Sequence, residues 1–189
     1  VCETLFVEVE LEFPENPGWP RTTVDDCDNL ILAWGTAGKA YVLRLLASGQ
    51  RDFYRVVAPS SPEDLPGGAR ALATDAYGNI FGAMLYSMVR LLPSGDDFPR
   101  GLFLPYQARL LKRDGDTFLV GGWNDYARLD IASNEFVWKS HGFEDEVSDI
   151  DRLVIMDAVA VDEDSFLRAM YHANMDPPIW VERVTPSKS

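Results

Sequence analysis

Short apolar runs separated by tight polar turns extend along most of the chain. Within the runs, apolar and polar side chains tend to alternate with a period of two, which predicts β-strands rather than helices. Residues 4–13 are an example, with five apolar side chains on one face and three glutamates on the other. They predict a half-buried N-terminal strand, which the proline-rich segment 14–20 ends.

One strand–turn–strand unit recurs along the chain. Its turns carry Asp, Asn or Gly, which tolerate a positive φ or bond their own backbone: Asp28–Asn29, Gly78–Asn79, Asp116–Thr117 and Asp164–Ser165. An apolar residue follows each turn, at Leu30, Ile80, Phe118 and Phe166. These residues recur at roughly the 40–50-residue period of a propeller blade.

The repeats predict the fold class. The units lie near residues 22–58, 66–100, 102–140 and 150–185. Together with strand 4–13, they predict a single all-β domain over residues 1–189, a propeller-like array of about four antiparallel units with three to four strands each.

The second unit carries a family resemblance. Its first strand and turn read Ala71-Leu-Ala-Thr-Asp-Ala-Tyr-Gly-Asn-Ile-Phe81, and a later strand reads Val89-Arg-Leu-Leu-Pro-Ser-Gly95. This pattern resembles a blade of the β-propeller families with NHL or lactonase-like repeats. The resemblance implies a fold, and the lactonase-like members also imply a metal held by acids from several blades at a central channel.

Charge restricts the classes of partner. The chain has 30 acidic residues against 17 Lys and Arg, a formal net charge of −13, and no run of basic residues. Nucleic acid and anionic membranes are therefore disfavoured, whereas encounter with a basic protein is accelerated. No apolar run approaches the length of a membrane span. We expect a cytoplasmic protein; the alternative is a periplasmic or secreted one whose signal peptide, not present in this chain, has been removed.

The sequence carries no familiar catalytic or metal-binding motif. Gly35–Lys39 lacks the spacing of a phosphate loop, and there is no Gly-x-Ser-x-Gly elbow. His141 and His172 are isolated, and two His with two Cys at distant positions disfavour a zinc site. The sequence favours a non-enzymatic protein with no catalytic residue, metal ligand or cofactor assigned. A metal-dependent hydrolase, implied by the resemblance alone, is the alternative.

Two groups of residues are candidates for partner binding. The first is residues 138–151, where acidic side chains follow aromatic ones: Trp138, Phe143, Glu144, Asp145, Glu146, Asp149 and Asp151. The second is a set of aromatics four to six residues beyond the apolar anchors: Trp34, Tyr86, Trp123 and Tyr171. Aromatic anchors with a charged rim are typical of binding hot spots, while packing between blades is the alternative for the second set.

The functional hypothesis is a binding protein that captures a basic protein partner. Its most specific form is an immunity or inhibitor protein that neutralises a basic toxin. A structural module of a larger assembly is a further alternative.

Overall fold

The structure, a computed structural model, describes residues 20–36, 39–57, 69–83, 87–96, 102–103, 108–122, 126–133, 135–139, 154–162, 165–171 and 179–185. Every regular element in these ranges is a β-strand. In chain order they are β1 (Arg21–Val24), β2 (Leu30–Thr36), β3 (Lys39–Leu45), β4 (Arg51–Val57), β5 (Ala71–Thr74), β6 (Ile80–Ala83), β7 (Ser87–Leu91), β8 (Leu102–Phe103), β9 (Leu110–Asp114), β10 (Thr117–Gly121), β11 (Tyr126–Asp130), β12 (Phe136–Lys139), β13 (Val154–Asp162), β14 (Ser165–Tyr171) and β15 (Ile179–Val184).

The strands form four antiparallel sheets, each a simple meander. Sheet 1 contains β1–β4, sheet 2 β5–β8, sheet 3 β9–β12 and sheet 4 β13–β15, and within each sheet consecutive strands are hydrogen-bonded neighbours. The predicted fold class, an all-β propeller-like array of four units with three to four strands each, is confirmed. The short strand β8 pairs with β7 and so belongs to sheet 2. The predicted N-terminal strand 4–13 lies outside the described residues.

Neighbouring sheets meet along their first strands. β1 contacts β5, β5 contacts β9, and β9 contacts β13. The first strand of each sheet therefore lies on the inside of the array, as in a propeller. The turns after these four strands lie together at one end of the array, here called the turn end, and the strands begin at the opposite start end.

The turn chemistry explains why each first strand reverses where it does. Asp28 has a φ of 60° and Gly78, at the equivalent place in sheet 2, has a φ of 78°. Asp25 and Asp75 open these two turns, and one carboxylate oxygen of each accepts hydrogen bonds from two main-chain N–H groups within its turn, all at 2.9 Å. Such Asx turns are local, so the sequence specifies them without help from the rest of the fold.

The core consists of the contacts between sheets. The apolar anchor after each turn faces the preceding sheet: the ring of Phe118 packs edge-on against Phe81 of sheet 2, with centroids 4.8 Å apart. The residue one position later points to the opposite face and packs on the following sheet, as Leu119 does with Phe166. Strand alternation thus gives each sheet one face for each neighbour.

The outer face of sheet 4 lacks this coverage. Leu167, the fourth-sheet equivalent of the fully buried Leu119, is 37% exposed. The outer face of sheet 4 exposes further aliphatic side chains: Val159, Val161, Ile179 and Val181. Sheet 4 therefore packs on sheet 3 with one face and leaves its other, aliphatic face exposed.

Candidate functional site

The first strands of all four sheets line one cavity of about 640 Å³. β1 contributes Thr22 and Thr23, β5 contributes Thr74, and Leu110–Gly115 and Asp157 supply most of the rest. The lining combines hydroxyl groups with side chains of both charges. This cavity is the counterpart of the central channel of a propeller.

Ion pairs join the sheets across this cavity. Arg113 on β9 donates from one guanidinium nitrogen to both carboxylate oxygens of Asp26 in sheet 1, at 2.9 Å each. Lys112 contacts Asp157 of sheet 4 at 3.3 Å. Both pairs are substantially exposed, so each contributes at most about 1 kcal/mol to stability. Their main effect is to neutralise two of the carboxylates that line the cavity.

An aspartate–arginine pairing recurs at the turn end. In sheets 2, 3 and 4, the third strand supplies an arginine near the aspartate that ends the first strand or opens its turn. Arg128 contacts Asp114 at 2.7 Å, Arg183 contacts Asp162 at 2.8 Å, and Arg90 lies 3.8 Å from Asp75. Arg128 is the most buried of these and also donates to the main-chain oxygen of Asp162, 3.1 Å away, which ties sheet 3 to sheet 4.

Asp25 shows how the turn controls a carboxylate. Burial raises its pKa, but hydrogen bonds from Asn29 and Cys27, together with the charge of Arg44, outweigh burial and hold the pKa below its ordinary value of 3.8. Asp25 is thus a structural anion, fixed inside its own turn. Cys27, within the same turn, is an exposed free cysteine.

Other carboxylates at the turn end face solvent. They are here called the acidic turn surface: Asp26, Asp28, Asp52, Asp96, Asp116, Glu135 and Asp162. Three of them are paired with arginines: Asp26 with Arg113, Asp52 with Arg44 and Asp162 with Arg183. The remaining carboxylates belong to sheets 1 to 3 and give the turn end an excess of negative charge. Sequence reasoning missed this surface because its members come from turns far apart in the chain.

Three arginines lie at the opposite end of the array, the start end. Arg21 begins β1, Arg70 directly precedes β5 and Arg109 directly precedes β9. Arg21 Nε donates to the main-chain oxygen of Arg70 at 2.8 Å. Burial lowers the pKa of Arg109, and the neighbouring charges of Arg70 and Arg21 lower it further, to about 10. Three cationic side chains thus lie together in a chain that is acidic overall.

The structure describes one side chain of the predicted aromatic set, that of Trp34. Trp34 is 2% exposed, and its ring stacks on Tyr41 and Tyr54 with centroids 5.7 and 6.0 Å away. The structure places it in the core of sheet 1 because Tyr41 is its cross-strand partner on β3. Tyr171 ends β14. Tyr86 and Trp123 lie outside the described residues.

Most of the predicted acidic segment also lies outside the described residues: Phe143, Glu144, Asp145, Glu146, Asp149 and Asp151. Trp138 is in β12, where its backbone pairs with Arg128 of β11. β12 ends at Lys139 and β13 begins at Val154, and both positions belong to the start end of the array.

No three or more His, Cys, Asp or Glu side chains among the described residues are grouped to hold a metal ion. The same part of the chain contains no helix of the length and apolar character that a membrane span requires.

The arrangement of sheets resembles solved structures. A protein of unknown function from Bacteroides caccae matches with a TM-score of 0.64 at 12% identity, over 90% of this chain and 65% of that one. Sqt1 of Saccharomyces cerevisiae matches with a TM-score of 0.58 at 11% identity, over 89% and 46%. The Pan2 WD40 domain of Neurospora crassa matches with a TM-score of 0.51 at 11% identity, over 87% and 61%.

The chain has a propeller-like fold. It spans less than two thirds of the length of each of these three proteins. At such low identity the likeness shows the fold alone, because one fold hosts many functions. No family model matches the sequence, and comparison with curated proteins gives no match either.

Proposed function

We propose that this protein is a non-catalytic binding protein that captures a basic protein partner. An immunity or inhibitor role against a basic toxin is the most specific form of this proposal. The observation that carries it is the acidic turn surface, to which all four sheets contribute exposed carboxylates. Such a surface attracts and orients a basic partner, and the net charge of −13 adds to the attraction.

Two surfaces compete for the main contact. One is the acidic turn surface, and the other is residues 138–151, whose acids follow Trp138 and Phe143. The turn surface is held by hydrogen-bonded turns, and a rigid surface loses less conformational entropy on binding. The segment 138–151 has the aromatic anchors that hot spots favour. The proposal includes both surfaces as candidates for the contact, and one experiment distinguishes between them.

The experiment compares two triple charge reversals that change the net charge equally. One variant carries Asp96→Lys, Asp116→Lys and Glu135→Lys, and the other carries Glu144→Lys, Asp145→Lys and Glu146→Lys. A ten-residue oligolysine peptide serves as the probe in isothermal titration calorimetry, with oligoglutamate as the control. If each carboxylate contributes about 1 kcal/mol, reversal at the true contact weakens binding 100-fold or more.

The outcomes separate the possibilities. A much larger loss in one variant identifies the contact surface, since the overall field is the same in both. Equal losses mean that net charge alone attracts the peptide and that neither surface is a site. Absence of oligolysine binding to the wild-type protein contradicts the proposal itself.

The lactonase-like resemblance keeps a metal-dependent hydrolase as an alternative. That activity requires carboxylates that converge in the cavity and are available to a metal ion. The cavity carboxylates Asp26, Asp114 and Asp157 are each engaged by a cationic side chain. This pairing favours the binding role. Elemental analysis of the purified protein tests the alternative, because one metal ion per chain would support it.

The exposed face of sheet 4 favours a second candidate role, as a module of a larger assembly. Leu167 and Val181 project from the face opposite Phe166, which packs on sheet 3. A second copy of the chain fits this candidate best, because its own sheet 4 would supply an equivalent aliphatic face.

Native mass measurement tests the assembly role. Val181→Glu places a charge on the sheet 4 face, and Val137→Glu, at a similarly exposed valine of β12, is the matched control. An assembly through sheet 4 dissociates in the first variant and persists in the second. A wild-type protein that remains at the 21.2 kDa mass of one chain at all concentrations contradicts this role.

A further inference from the structure

One carboxylate belongs both to the acidic turn surface and to the cavity. Asp26 lines the cavity together with Val24 of β1, and its side chain is 60% exposed. No other member of the acidic turn surface is among the described residues that line the cavity. Gly115, in the exposed turn after β9, also borders it, so the cavity opens to solvent at the turn end. Asp26 therefore stands at the mouth of the cavity.

The walls of the cavity combine apolar and hydroxyl-bearing side chains. Val24, Leu72 and Leu111 supply apolar surface, and Thr23 and Thr74 supply hydroxyl groups. Thr74 is 5% exposed, and no hydrogen bond within the described part of the chain engages its hydroxyl group. A lysine or arginine side chain has an aliphatic stem that packs on apolar walls and a charged head that donates hydrogen bonds. The cavity offers both the walls and the acceptors for such a side chain.

A cationic head from within the protein already occupies the mouth. Arg113 on β9 reaches from sheet 3 to sheet 1, and its Nη1 donates to both carboxylate oxygens of Asp26, each 2.9 Å away. Arg44 and Arg183 also contact aspartates, but each does so within a single sheet. Arg113 thus shows that an arginine head fits Asp26, and it competes with any cation that arrives from outside. Because the pair is largely exposed, it is weak enough to be displaced.

We propose that the turn-end mouth of the cavity is a pocket for one lysine or arginine side chain of the basic partner, and that Arg113 fills this pocket until the partner binds. This inference rests on the proposed binding function and adds the place at which the partner is anchored. A cleft with low-dielectric walls concentrates the field of its carboxylates. A side chain that fills a pocket is also typical of binding hot spots. The incoming head takes Asp26 from Arg113 and donates to the hydroxyl group of Thr74.

Calorimetric titration with the ten-residue oligolysine peptide tests the pocket. Arg113→Gln removes the internal competitor, and Arg55→Gln, at an exposed position of β4, is the control with the same net charge. The first variant should bind the peptide about fivefold more tightly than the second. Adding Asp26→Asn to Arg113→Gln restores the net charge of the wild type and should abolish this gain.

A second pair of variants shows whether a side chain of the peptide enters the cavity. Thr74→Val keeps the shape of the side chain and removes its hydroxyl group. It should weaken binding about tenfold, because a hydrogen bond to a charged group is lost. Ser48→Ala removes an exposed hydroxyl group from the turn between β3 and β4 and should leave the affinity unchanged.

The outcomes distinguish the pocket from the binding function itself. Equal affinities of Arg113→Gln and Arg55→Gln, a gain that survives Asp26→Asn, or wild-type affinity of Thr74→Val would each overturn the pocket. In those cases oligolysine binding would still support the proposed function. Absence of oligolysine binding to the wild type and to all variants would overturn both.

Discussion

Gly95 of sheet 2 lies directly against the ring of Phe53 in sheet 1. A Cβ atom at Gly95 would stand 3.0 Å from Phe53 Cγ and 3.1–3.2 Å from both Cδ atoms. The ring cannot move away freely, because the guanidinium of Arg44 lies 4.9 Å from its centroid. Glycine at this position therefore allows sheets 1 and 2 to approach each other at the turn end.

This contact predicts unequal costs for two glycine substitutions. Gly95 and Gly115 both have a positive φ, 82° and 57°, but a Cβ at Gly115 would have no neighbour within 4 Å. Gly115→Ala should cost about 1 kcal/mol of backbone strain. Gly95→Ala should cost about 1–3 kcal/mol more because of overpacking against Phe53. Urea denaturation measures the free energy of unfolding of both variants. Equal losses would show that overpacking against Phe53 does not destabilise the protein.

A second prediction tests the register of the turns. Gly78 has a φ of 78°, and a Cβ there meets Pro93 only at an ordinary 3.7 Å, so backbone strain dominates. Gly78→Val should lower the free energy of unfolding by about 1–3 kcal/mol. Gly78→Asn should cost much less, since asparagine tolerates the left-handed region and Asp28 occupies it in sheet 1. Wild-type stability of the valine variant would show that the turn is assigned incorrectly.

The third prediction concerns pH. The folded state lowers the pKa of Asp25, so this carboxylate stabilises the protein above its ordinary pKa of 3.8 and loses that contribution as the pH falls through the folded value. Asp25→Ala also removes three hydrogen bonds within the turn and should cost about 2 kcal/mol at pH 7.

The measurement is chemical denaturation at pH 7 and at several values below 4. The stability difference between wild type and Asp25→Ala should shrink as the pH falls over this range. Asp28→Asn is the control, because it changes an exposed carboxylate of the same turn and keeps a residue that accepts its φ of 60°. A pH-independent difference would mean that the ionised form of Asp25 has no special role.

The sequence predicts those features of the fold that are local. Asp25, Gly78 and Asn79 act within four or five residues of chain, so their turn chemistry is readable directly, and the strands follow from alternation. The pairing of Arg90, Arg128 and Arg183 with aspartates of the turn end could not be predicted, because it depends on how the first and third strands of each sheet are placed.

The candidate sites depend on distant residues, which is why the sequence missed them. Arg113 pairs with Asp26 across 87 positions, and the cavity beside this pair is lined by residues of all four sheets. The sequence spacing indicates equivalent positions in the repeat for Trp34, Tyr86, Trp123 and Tyr171. It does not tell whether an aromatic ring at such a position points to the core or to solvent. In Trp34 the cross-strand tyrosines decide that direction, and they place the ring in the core.

The proposal that the protein captures a basic partner is tested most directly by the rate of association. Binding of the oligolysine peptide to the immobilised protein is followed as salt is raised from low to physiological concentration. Electrostatic steering predicts that the on-rate falls by about an order of magnitude while the off-rate changes little. An on-rate that is independent of salt, or an equally fast association of oligoglutamate, would contradict the proposal.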